Sequence, residues 1–108
     1  MVETYDYYLN KYGFGLHEIT SNSSMLINSY YVSFRLENCI THNAKIHRLD
    51  GPAVISKNDS VRHWWINGRC VDEEIGQWAE EQNINLDNLT DDDKVMIKLS
   101  WGDYRGDI

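Results

Sequence analysis

Turn signals divide the stretch NAKIHRLDGPAVISKNDSVRHWWINGRC, residues 43–70, into very short pieces. Asp50-Gly51-Pro52 is a turn: the glycine supplies a permissive backbone and the proline fixes the φ that follows. Lys57 to Ser60, KNDS, is a second turn, and Asn67-Gly68 is a two-residue hairpin signal because both residues tolerate positive φ. The pieces between them are too short for ordinary helices. They suit antiparallel strands joined by tight turns. Residues 53–56 form one short strand. VRHWWI, 61–66, forms another, with Val61, His63 and Trp65 on one face and Arg62, Trp64 and Ile66 on the other, so the adjacent tryptophans point to opposite faces.

The same spacing repeats. Asn43-Ala44-Lys45-Ile46 recurs as Asn67-Gly68-Arg69-Cys70 at an offset of 24 residues, each a turn, then a base, then a small or apolar residue. Equal spacing of hairpin turns predicts a meander. Residues 30–36, YYVSFRL, add a half-buried strand with Val32, Phe34 and Leu36 on its inner face. Upstream, Tyr5, Tyr8, Leu9 and Tyr12 fall at helical spacing before Gly13, although a strand fits nearly as well there. TSNSS, 20–24, reads as a loop. Downstream, Asp72 is placed to cap a helix carrying Ile75, Trp78 and Ala79. Thr90-Asp91-Asp92-Asp93 opens a second one, in capping-box style, that holds Val95, Met96, Ile97, Leu99 and Trp101. The expected fold is therefore α+β in a single domain of 108 residues: an N-terminal segment 1–24, an antiparallel β-meander 25–71, an acidic helical part 72–101 and a frayed tail 102–108.

NAKIHRLDGPAVI followed by WWINGR resembles the MORN-like hairpin repeats of bacterial, large-phage and giant-virus proteins. His47, Arg48, Asp50, Gly51, Pro52 and Ala53 fit the motif, as do Asn67 and Gly68. The second copy departs after Arg69, where Cys70-Val71-Asp72 stands in place of the expected His-Arg pattern, so one full unit is present. The resemblance implies a hairpin scaffold, in which His47, Arg48, Asp50, Gly51, Pro52, Asn67 and Gly68 are structural, and a phage or bacterial origin. It implies no particular activity.

Charge is unevenly placed. Residues 1–71 carry six acids against seven bases, whereas residues 72–108 carry eleven acids against three, and the chain as a whole stands at −7. An acidic third of this kind repels phosphate and attracts basic surfaces, which makes nucleic acid a poor partner. No run of about 18 apolar residues predicts a membrane span. The polar, acidic start, MVETYDYYLNKYGF, lacks a secretory pattern, so a cytoplasmic location is expected, the host cytoplasm if the chain is phage-encoded. In that compartment Cys39 and Cys70 read as small buried hydrophobes and not as a bridge.

Candidate chemistry is sparse. Cys39-x-x-His42-x4-His47, with His63 and Cys70 further on, holds zinc-type donors, but at spacings that fit no finger or knuckle. A calcium frame opened at Asn83 fails at Asn88 and Lys94. No metal or cofactor is expected. Phosphate loops, serine elbows and HExxH are missing, and His47 with Asp50 sits in a structural turn, so no enzyme is expected. The chain reads instead as a non-catalytic protein-binding module, a phage accessory protein that binds and inhibits a host or defence factor with a basic surface. Its contact residues are Trp64, if that ring is the exposed one, and the acidic stripe Glu73, Glu74, Glu80, Glu81, Asp87, Asp91, Asp92 and Asp93. The stripe also suits mimicry of nucleic-acid charge. The alternatives are a small nucleic-acid binder using Trp64 and Trp65 with Lys45, Arg48, Arg62 and Arg69, and a structural protein that associates with itself, a homodimer included.

Overall fold

The computed structural model describes residues 3–37, 44–58 and 61–104. Its elements run α1 (Tyr5–Tyr12), β1 (Gly15–Thr20), β2 (Ser23–Ile27), β3 (Tyr31–Glu37), β4 (Ala44–Ile46), β5 (Val54–Ser56), β6 (Arg62–His63), β7 (Trp65–Ile66), β8 (Arg69–Cys70), α2 (Asp72–Glu81) and α3 (Asp91–Trp101). The fold is α+β, an antiparallel β-hairpin meander closed by short C-terminal helices.

The N-terminal ambiguity resolves as a helix. Thr4 caps α1 by accepting the Tyr7 N–H, and Gly13 at φ +80° stops it in a conformation that costs a residue with a Cβ. The meander begins earlier than expected, because TSNSS is not all loop: Ser21 and Asn22 turn the chain, and Ser23 already starts β2. The sheet order is β1-β2-β3-β5-β6, with β4 also on β3. Central β3 thus pairs with β2 along one side and with β5, then β4, along the other. Between those two partners, residues 48–52 leave the sheet as the Asp-Gly-Pro turn. The N–H of Phe34 donates to Ala53 and its carbonyl accepts from His47, which holds the neck of that turn closed.

The stretch 61–66 is not one strand. It breaks at Trp64, whose N–H is taken by the Asp72 carboxylate at 2.5 Å and whose carbonyl accepts the Val71 N–H. Asn67 and Gly68, at φ +50° and +84°, then make the expected hairpin turn between β7 and β8. The two copies of the 24-residue repeat lie side by side. Gly68 N–H donates to Ile46, and Arg48 N–H donates to Trp65.

Two apolar clusters result. Tyr5 and Tyr8 of α1 pack on Met25, Ile27, Val32, Phe34 and Ile55 of the sheet. Trp64, Ile66 and Val71 meet Ile75 of α2 and Ile97 of α3 in the second cluster, sealed by Leu49, Trp78 and Trp101. Trp78 and Trp101 meet edge to face, their ring centres 6.2 Å apart. Asp72 does not cap α2, whose N-cap is Val71 with no side-chain bond. As the first helical residue, its carboxylate reaches back across to the strand instead. Thr90 and Asp93 do form a reciprocal capping box at the start of α3.

Candidate functional site

The repeat motif is an anchor. Arg48 lies over the Phe34 ring, its guanidinium carbon 4.1 Å from the ring centre, with the side chain only 11% exposed. It donates to Asp50 at 2.8 Å, to Glu3 at 2.9 Å and to the Pro52 carbonyl at 3.2 Å. Glu3 also accepts from the Tyr8 hydroxyl. Burial alone would raise both carboxyls. The Tyr8 and Arg48 bonds hold Glu3 below its ordinary value, and the Arg48 charge and hydrogen bond do the same for Asp50. Burial and the carboxylate partner push the Tyr8 hydroxyl up. Gly51 is required here, since a Cβ would come within 2.8 Å of the pinned Arg48 guanidinium carbon. Glu3 is the member of this anchor that the sequence does not mark.

His47 serves the second turn of the motif. Its Nδ1 accepts the Asn67 N–H at 3.0 Å, which requires the neutral ring. Burial lowers its pKa. The stability this provides is present above the ordinary histidine value of 6.5 and is lost as pH falls through the lower folded value. Acidification through that window should therefore cost up to roughly 1 kcal/mol, the worth of one such bond. Urea midpoints will check this. His47→Asn, which offers an acceptor that does not titrate, should remove that part of the pH dependence.

Trp64, expected among the contact residues, is not at the surface. It is 5% exposed and lies in the second core cluster, while Trp65 is half-buried. Trp64 lies on the same side as Ile66, and that side is the one α2 and α3 cover. Burial of Trp64 and engagement of Arg48 remove two residues on which stacking and clamping of nucleic acid would depend.

The acidic stripe is at the surface. Glu73, Glu74, Glu80 and Glu81 are exposed on α2, as are Asp87 in the α2–α3 connection and Asp91 and Asp92 on α3. Asp93 is half-buried and spent on the cap, where its carboxylate accepts the Thr90 N–H at 3.0 Å. What the sequence did not foretell is the neighbouring apolar strip. Of the α3 residues expected to pack, only Ile97 is buried, with Trp101 half-buried. Val95 is 55% exposed and Leu99 80%, with Met96 beside them. Asp91, Val95 and Leu99 follow one another at i, i+4 and i+8, and Met96 follows Asp92 at i+4, so acids and apolar groups share one exposed face.

Among the described residues, one mixed group of metal-type donors converges, His63, Cys70 and Asp72. Cys70 is exposed and free and not the small buried hydrophobe expected. Cys39 and His42 lie outside the described residues. No described helix is long and apolar enough to cross a membrane. Comparison with family models, curated proteins and solved structures finds no match.

Proposed function

We propose that this chain is a non-catalytic module that binds a basic protein surface through its C-terminal helices. The observation that carries this reading is the face of α3 on which Asp91 and Asp92 stand beside exposed Val95, Met96 and Leu99. A helical face that leaves large apolar groups in water, next to concentrated charge, is the composition of a contact surface: the apolar groups give affinity and the charges steer and orient the partner. The exposed carboxylates of α2 add to the acidic surface of this part of the chain, and that charge suits a partner groove that otherwise holds nucleic acid. The likeness of residues 43–70 to phage and bacterial hairpin repeats extends the proposal. The partner is then a host or defence factor in the cytoplasm, and the chain inhibits it by occupying its basic site.

The test is capture of the partner from nuclease-treated bacterial lysate, followed by titration of the purified pair with variants. Asp91→Asn with Asp92→Asn spares the capping box, and Leu99→Asp alters an exposed side chain, so both variants should keep the fold. Each should weaken binding by roughly tenfold or more. Unchanged affinity in both would sink the reading.

Self-association is the second reading, and β1 favours it. It is an edge strand of the sheet, with Leu16 and Ile19 exposed. Light scattering at two concentrations separates a concentration-dependent oligomer from a monomeric binder.

A further inference from the structure

We propose that His63, Cys70 and Asp72 form a binding site for a divalent transition metal ion of the zinc class. The three donors come from β6, β8 and the first residue of α2, and their ligand atoms all lie within 4.8 Å of one another. Their spacing in sequence matches no finger, and the fold explains why it does not need to. The Asn67-Gly68 turn pairs Trp65 with Cys70, and the Val71 N–H bond to Trp64 brings residues 70–72 back beside His63.

The donor set selects the ion. Imidazole, thiolate and a single carboxylate suit zinc and its neighbours, whereas calcium and magnesium require more oxygen donors than are here. The site is supported from behind. Asp72 Oδ1 accepts the Trp64 N–H, which fixes the carboxylate, and Oδ2 lies 2.7 Å from His63 Nδ1. Bond lengths of about 2.0–2.3 Å at tetrahedral angles place neighbouring donors roughly 3.4–3.7 Å apart. Binding through these atoms must therefore replace the 2.7 Å His63–Asp72 hydrogen bond, widening it by roughly 0.7 Å or more, and draw the thiol inward. Cys70 is exposed and unbridged. Three protein donors leave one position for water.

A nucleophilic Cys-His-Asp arrangement is the competing use of the same residues. The geometry opposes it: His63 Nδ1 is paired with Asp72 at 2.7 Å, and among the described hydrogen bonds none joins His63 to the Cys70 thiol it would have to activate.

Cobalt and zinc titrations of the full chain, stripped beforehand with chelator, test the site. The expected result is one cobalt ion per chain, with a thiolate-to-cobalt charge-transfer band that zinc abolishes by displacement. Cys70→Ser should remove the band, and both it and His63→Gln should weaken binding at least about tenfold. Asp72→Asn, which keeps an acceptor for the Trp64 N–H, should weaken it similarly. No saturable binding would overturn the proposal. So would a cobalt spectrum without the thiolate band, or a band that survives in Cys70→Ser.

Discussion

Trp64→Ala should destabilise the protein by about 3–5 kcal/mol, the cost of emptying the place of a large aromatic ring in a packed core. The ring sits among Ile66, Val71, Ile75 and Ile97, so its loss opens a void where the sheet, α2 and α3 meet. Small domains are stable by only about 5–15 kcal/mol, so the variant will stand near the unfolding threshold. Trp65→Ala removes a half-buried ring and should cost clearly less. Urea denaturation of the two variants makes the comparison. Equal and small effects would contradict the burial described here and return Trp64 to the surface.

The second large effect belongs to Arg48. Arg48→Met keeps an apolar stem over Phe34 but deletes the charge that Glu3 and Asp50 share. Breaking a buried pair costs about 3–5 kcal/mol. Because both carboxylates are partly open to water, the lower end of that range is expected. The pH dependence gives the change a signature. Glu3 and Asp50 are held below their ordinary values of 4.5 and 3.8, so they contribute stability that is present above those values and lost as pH falls through the lower folded ones. In Arg48→Met the source of both depressions is weakened, so the variant should lose less stability on acidification than the parent. A variant as acid-sensitive as the parent would show that Arg48 is not the group holding those carboxylates ionised.

Features with a local physical code were legible in the sequence. The Asn67-Gly68 turn, the capping box of Thr90 and Asp93, and the half-buried strand around Val32 and Phe34 each need only a few adjacent residues of the right type. The strand β1 was not legible because it is an edge strand with mostly exposed side chains. Leu16, His17, Glu18 and Ile19 therefore carry no apolar alternation. The break at Trp64 was hidden for a different reason. VRHWWI has the composition of a continuous strand, and what interrupts it lies seven and eight residues on, the Val71 N–H and the Asp72 carboxylate. In the candidate site the acids were legible as charge. Asp93's capping duty was legible too, but the exposure of Val95 and Leu99 depends on which face of α3 meets the core, and that is a tertiary fact. The grouping of His63, Cys70 and Asp72 likewise exists only once the hairpin is closed.

The Glu3–Arg48 bond also bears on how the chain is made. It joins residues 45 positions apart, and Asp50, the other partner of the same guanidinium, emerges from the ribosome only just after Arg48. The N-terminal helix can pack on Met25, Ile27, Val32 and Phe34 once β2 and β3 exist, but its ion-pair lock waits for Arg48. Contacts of such wide separation come late, after the local hairpins have already paid much of the loop-closure entropy. Once Arg48 closes the first cluster it also fixes Leu49, which lies against the second. The residue that ties α1 to the Asp-Gly-Pro turn thus also positions part of the surface against which the acidic helices pack.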